Sequence, residues 1–157
     1  MKSNYSFVNM TQYDRDKAIF EIAIKGRSLR KKTKILVVDD QEFTRELLRG
    51  ILLKDYAVYT ASCGKGALST YIAEAPDIVF LDIEMPDLSG HEVIQQIVKL
   101  DPESYVVMLT ASKAVSDVKL AGMEGAKGFI CKPFNKQKIF DIIKNYTLIK
   151  EKRNKGA

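Results

Sequence analysis

After residue 34 the chain alternates between short unbroken aliphatic runs and longer stretches whose apolar residues recur every three or four positions. Ile35–Val38 is a continuous run of strand length that ends in Asp39-Asp40. Gln41–Leu53 carries Phe43, Leu47, Leu48, Ile51 and Leu52 at helical spacing. Tyr56–Thr60 predicts a second strand. Lys65–Ala75, with Ala67, Leu68, Tyr71 and Ile72 on one face, predicts a second helix closed by Pro76. Three further units follow: strand Asp77–Leu81 with helix His91–Leu100, strand Tyr105–Leu109 with helix Ser112–Met123, and strand Gly128–Cys131 with helix Asn135–Tyr146. Strands without in/out alternation, separated by helices, belong to a parallel sheet covered on both faces. The expected class is therefore α/β, a doubly wound five-stranded parallel sheet of five β–α units with an N-terminal extension. The division expected is an extension over 1–33 ending in the charged connector Arg27–Lys34, a body over 34–147, and a basic tail over 148–157. Ala18–Ile24 within the extension is apolar and fits a helix turn, an edge strand or a segment ordered against a partner.

At 157 residues, 46% hydrophobic and 29% charged, the chain can bury a core of its own. No stretch approaches the roughly 18 apolar residues of a membrane span. The first residues carry no apolar run followed by a cleavage site, so no secretory signal is expected. Cys63 and Cys131 are too few for a disulfide framework, and a reduced cytoplasmic location is expected. The net charge of +5 conceals a segregation. Residues 1–34 hold nine Lys/Arg against three acids, and residues 144–157 hold five against one, so the body between them is acidic. The basic ends fit solvated flanks, or arms that touch nucleic acid, anionic lipid or an acidic partner.

Ligands of such folds bind at the carboxyl ends of the strands. Here those ends carry Asp39-Asp40, Asp82, Thr110 and Lys132. Each alone reads as a helix cap or a solvated polar group, but all of them meeting at one rim is a constellation. Two carboxylates about 5 Å apart repel by roughly 3 kcal/mol at an effective dielectric near 20. Three must protonate, separate or bind a cation, and Lys132 supplies only one positive charge. An all-oxygen donor set without His or Cys suits a hard ion such as Mg²⁺. With a Lys and a hydroxyl facing the ion, such a site can stabilise a phosphoryl group in transfer, with a carboxylate as nucleophile and an acyl phosphate as product.

The runs ILVVDD, FLDIEMPDLSG, VVMLTAS and GFICKPF resemble the receiver domain of bacterial response regulators, the CheY-like superfamily, over about residues 34–147. Order and spacing both fit, with Asp40, Asp82, Thr110 and Lys132 following one another at 42, 28 and 22 residues. The resemblance implies a (βα)5 flavodoxin/CheY-like sheet and a signalling receiver that catalyses only its own phosphorylation and dephosphorylation. It implies Asp82 as phosphoacceptor, Asp39 and Asp40 as the acidic pair on Mg²⁺, and the Glu84 backbone carbonyl as a further ligand. Thr110, Ala111 and Lys132 would hold the phosphoryl oxygens. Thr110 and Phe129 would form the switch, with Phe129 lacking the hydroxyl that the family often has there. Glu84 and Ser112 would tune dephosphorylation, and Lys132-Pro133 would carry the family's cis peptide. The implied partners are a sensor histidine kinase or histidine phosphotransfer protein as donor and a downstream protein. Self-association is open, and no nucleic acid is expected.

Two other classes fit part of the pattern. A haloacid-dehalogenase phosphatase also uses an Asp nucleophile with Mg²⁺, but wants an acid/base two residues on, where this chain has Glu84, and leaves Asp39-Asp40 without a role. A flavodoxin-like FMN binder shares the topology, but an acidic first loop repels the FMN phosphate. His91 reads as a capping or surface residue, Cys131 as core and Cys63 as a loop residue.

Overall fold

The computed structural model describes residues 10–111 and 114–156. Five parallel strands, β1 (Lys34–Val38), β2 (Ala57–Ala61), β3 (Ile78–Asp82), β4 (Val106–Thr110) and β5 (Gly128–Cys131), form one sheet in the order β2-β1-β3-β4-β5. Among the described residues, six α-helices surround it: α1 (Gln12–Lys25), α2 (Glu42–Leu52), α3 (Gly64–Glu74), α4 (Gly90–Leu100), α5 (Val115–Met123) and α6 (Lys136–Lys155). This is the doubly wound sheet that the sequence pattern predicts. Among the described residues, no helix is long and apolar enough to cross a membrane.

The buried strands explain why alternation is absent from the sequence. Leu36, Val38, Val79, Leu81, Val106 and Met108 pack into one core layer with α3 and α4. Their neighbours Ile35, Val37, Ile78, Phe80, Val107 and Leu109 pack into the other with α2 and α6. Both faces of each central strand are dry, so both must be aliphatic. The register aligns Val38 with Leu81, Leu81 with Met108 and Met108 with Phe129. The next residues along, at the carboxyl ends, are therefore neighbours at one rim.

The segment left open between helix, strand and partner-ordered chain is a helix. Thr11 and Asp14 close a reciprocal capping box at the start of α1. The helix lies on α3, with Phe20 only 3% exposed and its ring stacked on Tyr71 at 5.7 Å. Burying that ring contributes about 2 kcal/mol. The connector that follows is not loose. Arg27 donates to the Ala75 and Pro76 carbonyls and pairs with Asp101 at 3.0 Å. Arg30 donates to the Glu74 and Ala75 carbonyls and pairs with Asp77 at 3.2 Å. Two guanidinium groups thus satisfy the carbonyls at the end of α3, where helices leave acceptors unpaired.

Two boundaries differ from the sequence reading by more than one residue. The helix expected to end at Tyr146 continues as α6 to Lys155, because no breaker precedes Gly156 and Lys152, Arg153 and Lys155 suit a helix C-terminus. The helix expected from Ser112 begins at Val115, and Ser112 lies outside the described residues.

Candidate functional site

Each rim residue is placed by a strand end. Asp39 follows β1, Asp82 closes β3, Thr110 closes β4 and Lys132 follows β5. Asp39 is fully buried, Asp82 is 5% exposed, and Asp40 is open to solvent. One carboxylate oxygen from each of the three lies within 4.8 Å of the others. Among the described residues these are the His, Cys, Asp and Glu side chains grouped closely enough to hold a metal ion.

The charges around the site are unequal. Lys132 Nζ donates to Asp39 Oδ2 at 2.6 Å and stands 3.5 Å from Asp82 Oδ2. Asp39 Oδ1 accepts the Gln41 N–H at 2.9 Å, and Arg45 holds the Asp39 carbonyl at 2.8 Å. Asp82 Oδ1 accepts the Glu84 N–H at 3.2 Å. Burial, then repulsion from Asp39, pushes the Asp82 carboxyl up to about 6, against the pull of Lys132. Among the described residues, the site holds more negative charge than Lys132 offsets. All-oxygen donors around an uncompensated charge suit a small hard cation.

The remaining expected residues lie around this cluster. Thr110 is 2% exposed and its carbonyl accepts the Lys132 N–H at 2.7 Å, which fixes the β4 and β5 ends together. Ala111 follows it and is exposed. The Lys132-Pro133 peptide is cis. Glu84 is exposed beyond β3. Phe129 is away from the rim, three residues back on β5 and half-buried against the α3–α4 core layer. Gly90 begins α4 directly behind the acceptor strand: a Cβ there would lie 2.5 Å from the Asp82 carbonyl oxygen.

Two smaller readings change. Ser89, with Glu92, caps α4, and His91 instead bridges to Glu124 with Nδ1 2.7 Å from Oε2. Cys131 is half-buried rather than core, while Cys63 lies in the loop as expected and caps α3 there by accepting the Gly66 N–H. The sequence reading also missed Asp87, whose carboxylate accepts the Gly64 and Lys65 N–H groups at 2.8 and 3.0 Å. An aspartate that caps a helix elsewhere in the chain leaves no local signal.

Residues 35–144 match the family model of the response regulator receiver domain. The chain is 36% identical over 112 residues to the chemotaxis protein CheY of Thermotoga maritima, covering 70% of this chain and 93% of that protein. It is 42% identical over 113 residues to a probable transcriptional regulator ycf27 of Guillardia theta, covering 71% of this chain but only 44% of that longer relative. Among solved structures, a CheY-like receiver domain protein from Methanospirillum hungatei superposes with a TM-score of 0.74 at 27% identity, covering 78% of this chain and 99% of the other. CheY in a CheX–CheY–BeF3–Mg²⁺ complex from Borrelia burgdorferi gives 0.68 at 32% identity, covering 71% and 86%. The chain belongs to the response regulator receiver domain family of two-component signalling.

Proposed function

We propose that this chain accepts a phosphoryl group from a phosphohistidine donor onto Asp82 and passes the signal to protein partners by a conformational switch. The observation that carries this is the rim itself, three carboxylates within 4.8 Å of one another beside Lys132, the one lysine there among the described residues. Asp39, Asp40, one Asp82 oxygen and the Glu84 carbonyl would hold Mg²⁺, which when bound supplies positive charge to the phosphoryl oxygens. Asp40 matters more to that ion than Asp39, whose two oxygens already serve Lys132 and the Gln41 N–H. An Asp82 oxygen attacks phosphorus, the donor's N–P bond breaks, and the imidazole leaves with that bonding pair. Lys132 then pairs with a phosphoryl oxygen, and Thr110 and the Ala111 N–H take the others. Drawing the Thr110 hydroxyl inward frees room for the Phe129 ring, which offers no hydroxyl to a partner. Glu84 and Ser112 set the lifetime of the acyl phosphate.

The same reading makes the chain a magnesium-dependent phosphoprotein of the cytoplasm, whose donor is a sensor histidine kinase or histidine phosphotransfer protein. The haloacid-dehalogenase and flavodoxin readings gain no support from the family match. Incubation with acetyl phosphate and Mg²⁺ tests the assignment by intact mass. One phosphoryl group should be added to the native chain and none to Asp82→Asn, and Asp40→Ala should lose metal-dependent labelling. Labelling that persists in Asp82→Asn would overturn the acceptor.

A further inference from the structure

The basic ends of the chain have no part in the chemistry above, yet the fold brings them together. All five strands are parallel, so their starts lie at the end of the sheet opposite Asp82. Lys31 and Lys32 precede β1 there, and α6 runs down to the same end and carries Lys150, Lys152, Arg153 and Lys155. The two meet, since Ile24 and Ser28 of the extension share a cleft of about 280 Å³ with Ile149, Lys150 and Arg153. Arg27 and Arg30 are spent internally on Asp101 and Asp77. The other cations face solvent in full or in part. The acids nearby are fewer: Glu21 beside Ile22, Asp55 beside Lys54, Glu74, which pairs with Lys34 at 2.7 Å, Glu151 on α6, and Glu103, which lies 3.9 Å from Arg153.

The same end displays aliphatic side chains that a merely solvated basic flank does not need. Leu29, between Arg27 and Arg30-Lys31-Lys32, is 84% exposed. Ile22, one turn from the end of α1, is 74% exposed, and Leu148 and Ile149 are also open beside Lys150. Duplex nucleic acid offers phosphates to the cations but nothing to these aliphatics. A bilayer offers both, headgroup phosphates to the ammonium groups and the acyl boundary to the aliphatic tips.

We propose that this end is a docking face for an anionic phospholipid surface, with Leu29 as the residue that enters it. The face is separate from the rim and independent of phosphoryl acceptance. Docked this way, the molecule turns Asp82 away from the bilayer and leaves it open to a donor. Lys31, Lys32 and Leu29 are exposed, so changing them leaves the core intact.

Sedimentation of the unphosphorylated full chain with large vesicles decides the matter. Vesicles with about one-third phosphatidylglycerol should bind it roughly ten-fold more tightly than pure phosphatidylcholine, and rising salt should weaken that binding. Lys31→Glu/Lys32→Glu should weaken it about ten-fold, whereas Lys65→Glu/Lys119→Glu, the same charge change elsewhere, should leave it within about two-fold. Leu29→Ser should weaken it a few-fold without altering the salt dependence. The proposal fails if anionic vesicles bind no better than neutral ones, or if both charge variants lose equally. It also fails if Leu29→Ser changes nothing while duplex DNA or an acidic protein is bound through the same lysines.

Discussion

The two ends of the sheet both gather charge, and they use it in opposite ways. At the amino edge Asp101 accepts the Tyr71 hydroxyl at 2.6 Å, Arg27 at 3.0 Å and the Glu103 N–H at 3.2 Å. Asp77 likewise accepts Arg30, the Lys34 N–H and the Tyr146 hydroxyl. Both oxygens of each carboxylate have a donor, and each buried acid has its own guanidinium. At the carboxyl edge Asp39 and Asp82 share Lys132 with Asp40 grouped beside them, and Asp82 is left with its proton affinity raised. Charge that is fully partnered holds the extension to the body, and charge that is under-partnered waits for a ligand. The difference separates a structural cluster from a reactive one without reference to where either lies.

Breaking the partnered end should cost most. Asp101→Ala leaves Arg27 charged and partly buried and removes the acceptor of a buried tyrosine hydroxyl. The loss expected is about 3 kcal/mol, read from urea unfolding of the full chain. The damage should reach α1, because Arg27 also packs its guanidinium 6.0 Å from the Phe20 ring. Amide exchange over residues 12–25 should therefore rise more than exchange in β3. A loss confined to α4 would show that the extension is held by Phe20 alone.

The under-partnered end should respond with the opposite sign. Asp82 holds its proton more tightly folded than unfolded, with its titration raised from 3.8 to about 6. That preference stabilises the fold fully below 3.8 and is lost as pH rises through 6, leaving a buried carboxylate beside Asp39. Asp82→Asn removes the charge and keeps the shape. In metal-free solution at pH 8 it should be more stable than the native chain by on the order of 1 kcal/mol, after allowance for solvent screening at the rim. The gap should close below about pH 4, where the carboxyl is neutral in both states. Thermal melts of the two proteins at both pH values check it. A variant less stable at pH 8 would mean that Lys132 already neutralises the site.

These contrasts mark what was legible in the sequence. β5 runs Gly128–Cys131, as read, and the other strands fall within a residue of their expected bounds, because buried parallel strands write themselves as aliphatic runs. The rim was legible for the same reason, since polar residues closing such runs stand out. The extension was not. Phe20 and Arg27 find their partners in Tyr71 and Asp101, far along the chain, and no local period announces a contact of that range. Arg27–Lys34 has the composition of a solvated linker, and only the carbonyls at the end of α3 turn two of its cations into a clamp. Reach along the chain, more than residue type, separated what could be read from what could not.

The smallest effect expected lies between the two ends. Asp87, in the loop that follows the acceptor strand, holds the start of α3 through the Gly64 and Lys65 N–H groups. Those donors, Lys65 first, then Gly64 and Leu88, keep its carboxyl down at about 2. The contact is close: a Cβ on Gly64 would lie 2.6 Å from Leu88 Cβ, so the loop and the helix start fit only with glycine there. Asp87→Ala should lower the melting temperature slightly at pH 7. A depressed acid contributes stability above its unfolded value near 3.8 and loses it as pH falls through 2, so the difference should vanish in that acid window. Asp87→Asn, which keeps one acceptor oxygen, should fall between the two. Because the loop begins at Asp82, Asp87→Ala should also slow acetyl-phosphate labelling a few-fold by loosening the acceptor's surroundings. Melting profiles that coincide at every pH, with labelling unslowed, would mean that water replaces the carboxylate at α3 without cost and that the loop is held by Gly90 and its contact with the Asp82 backbone alone.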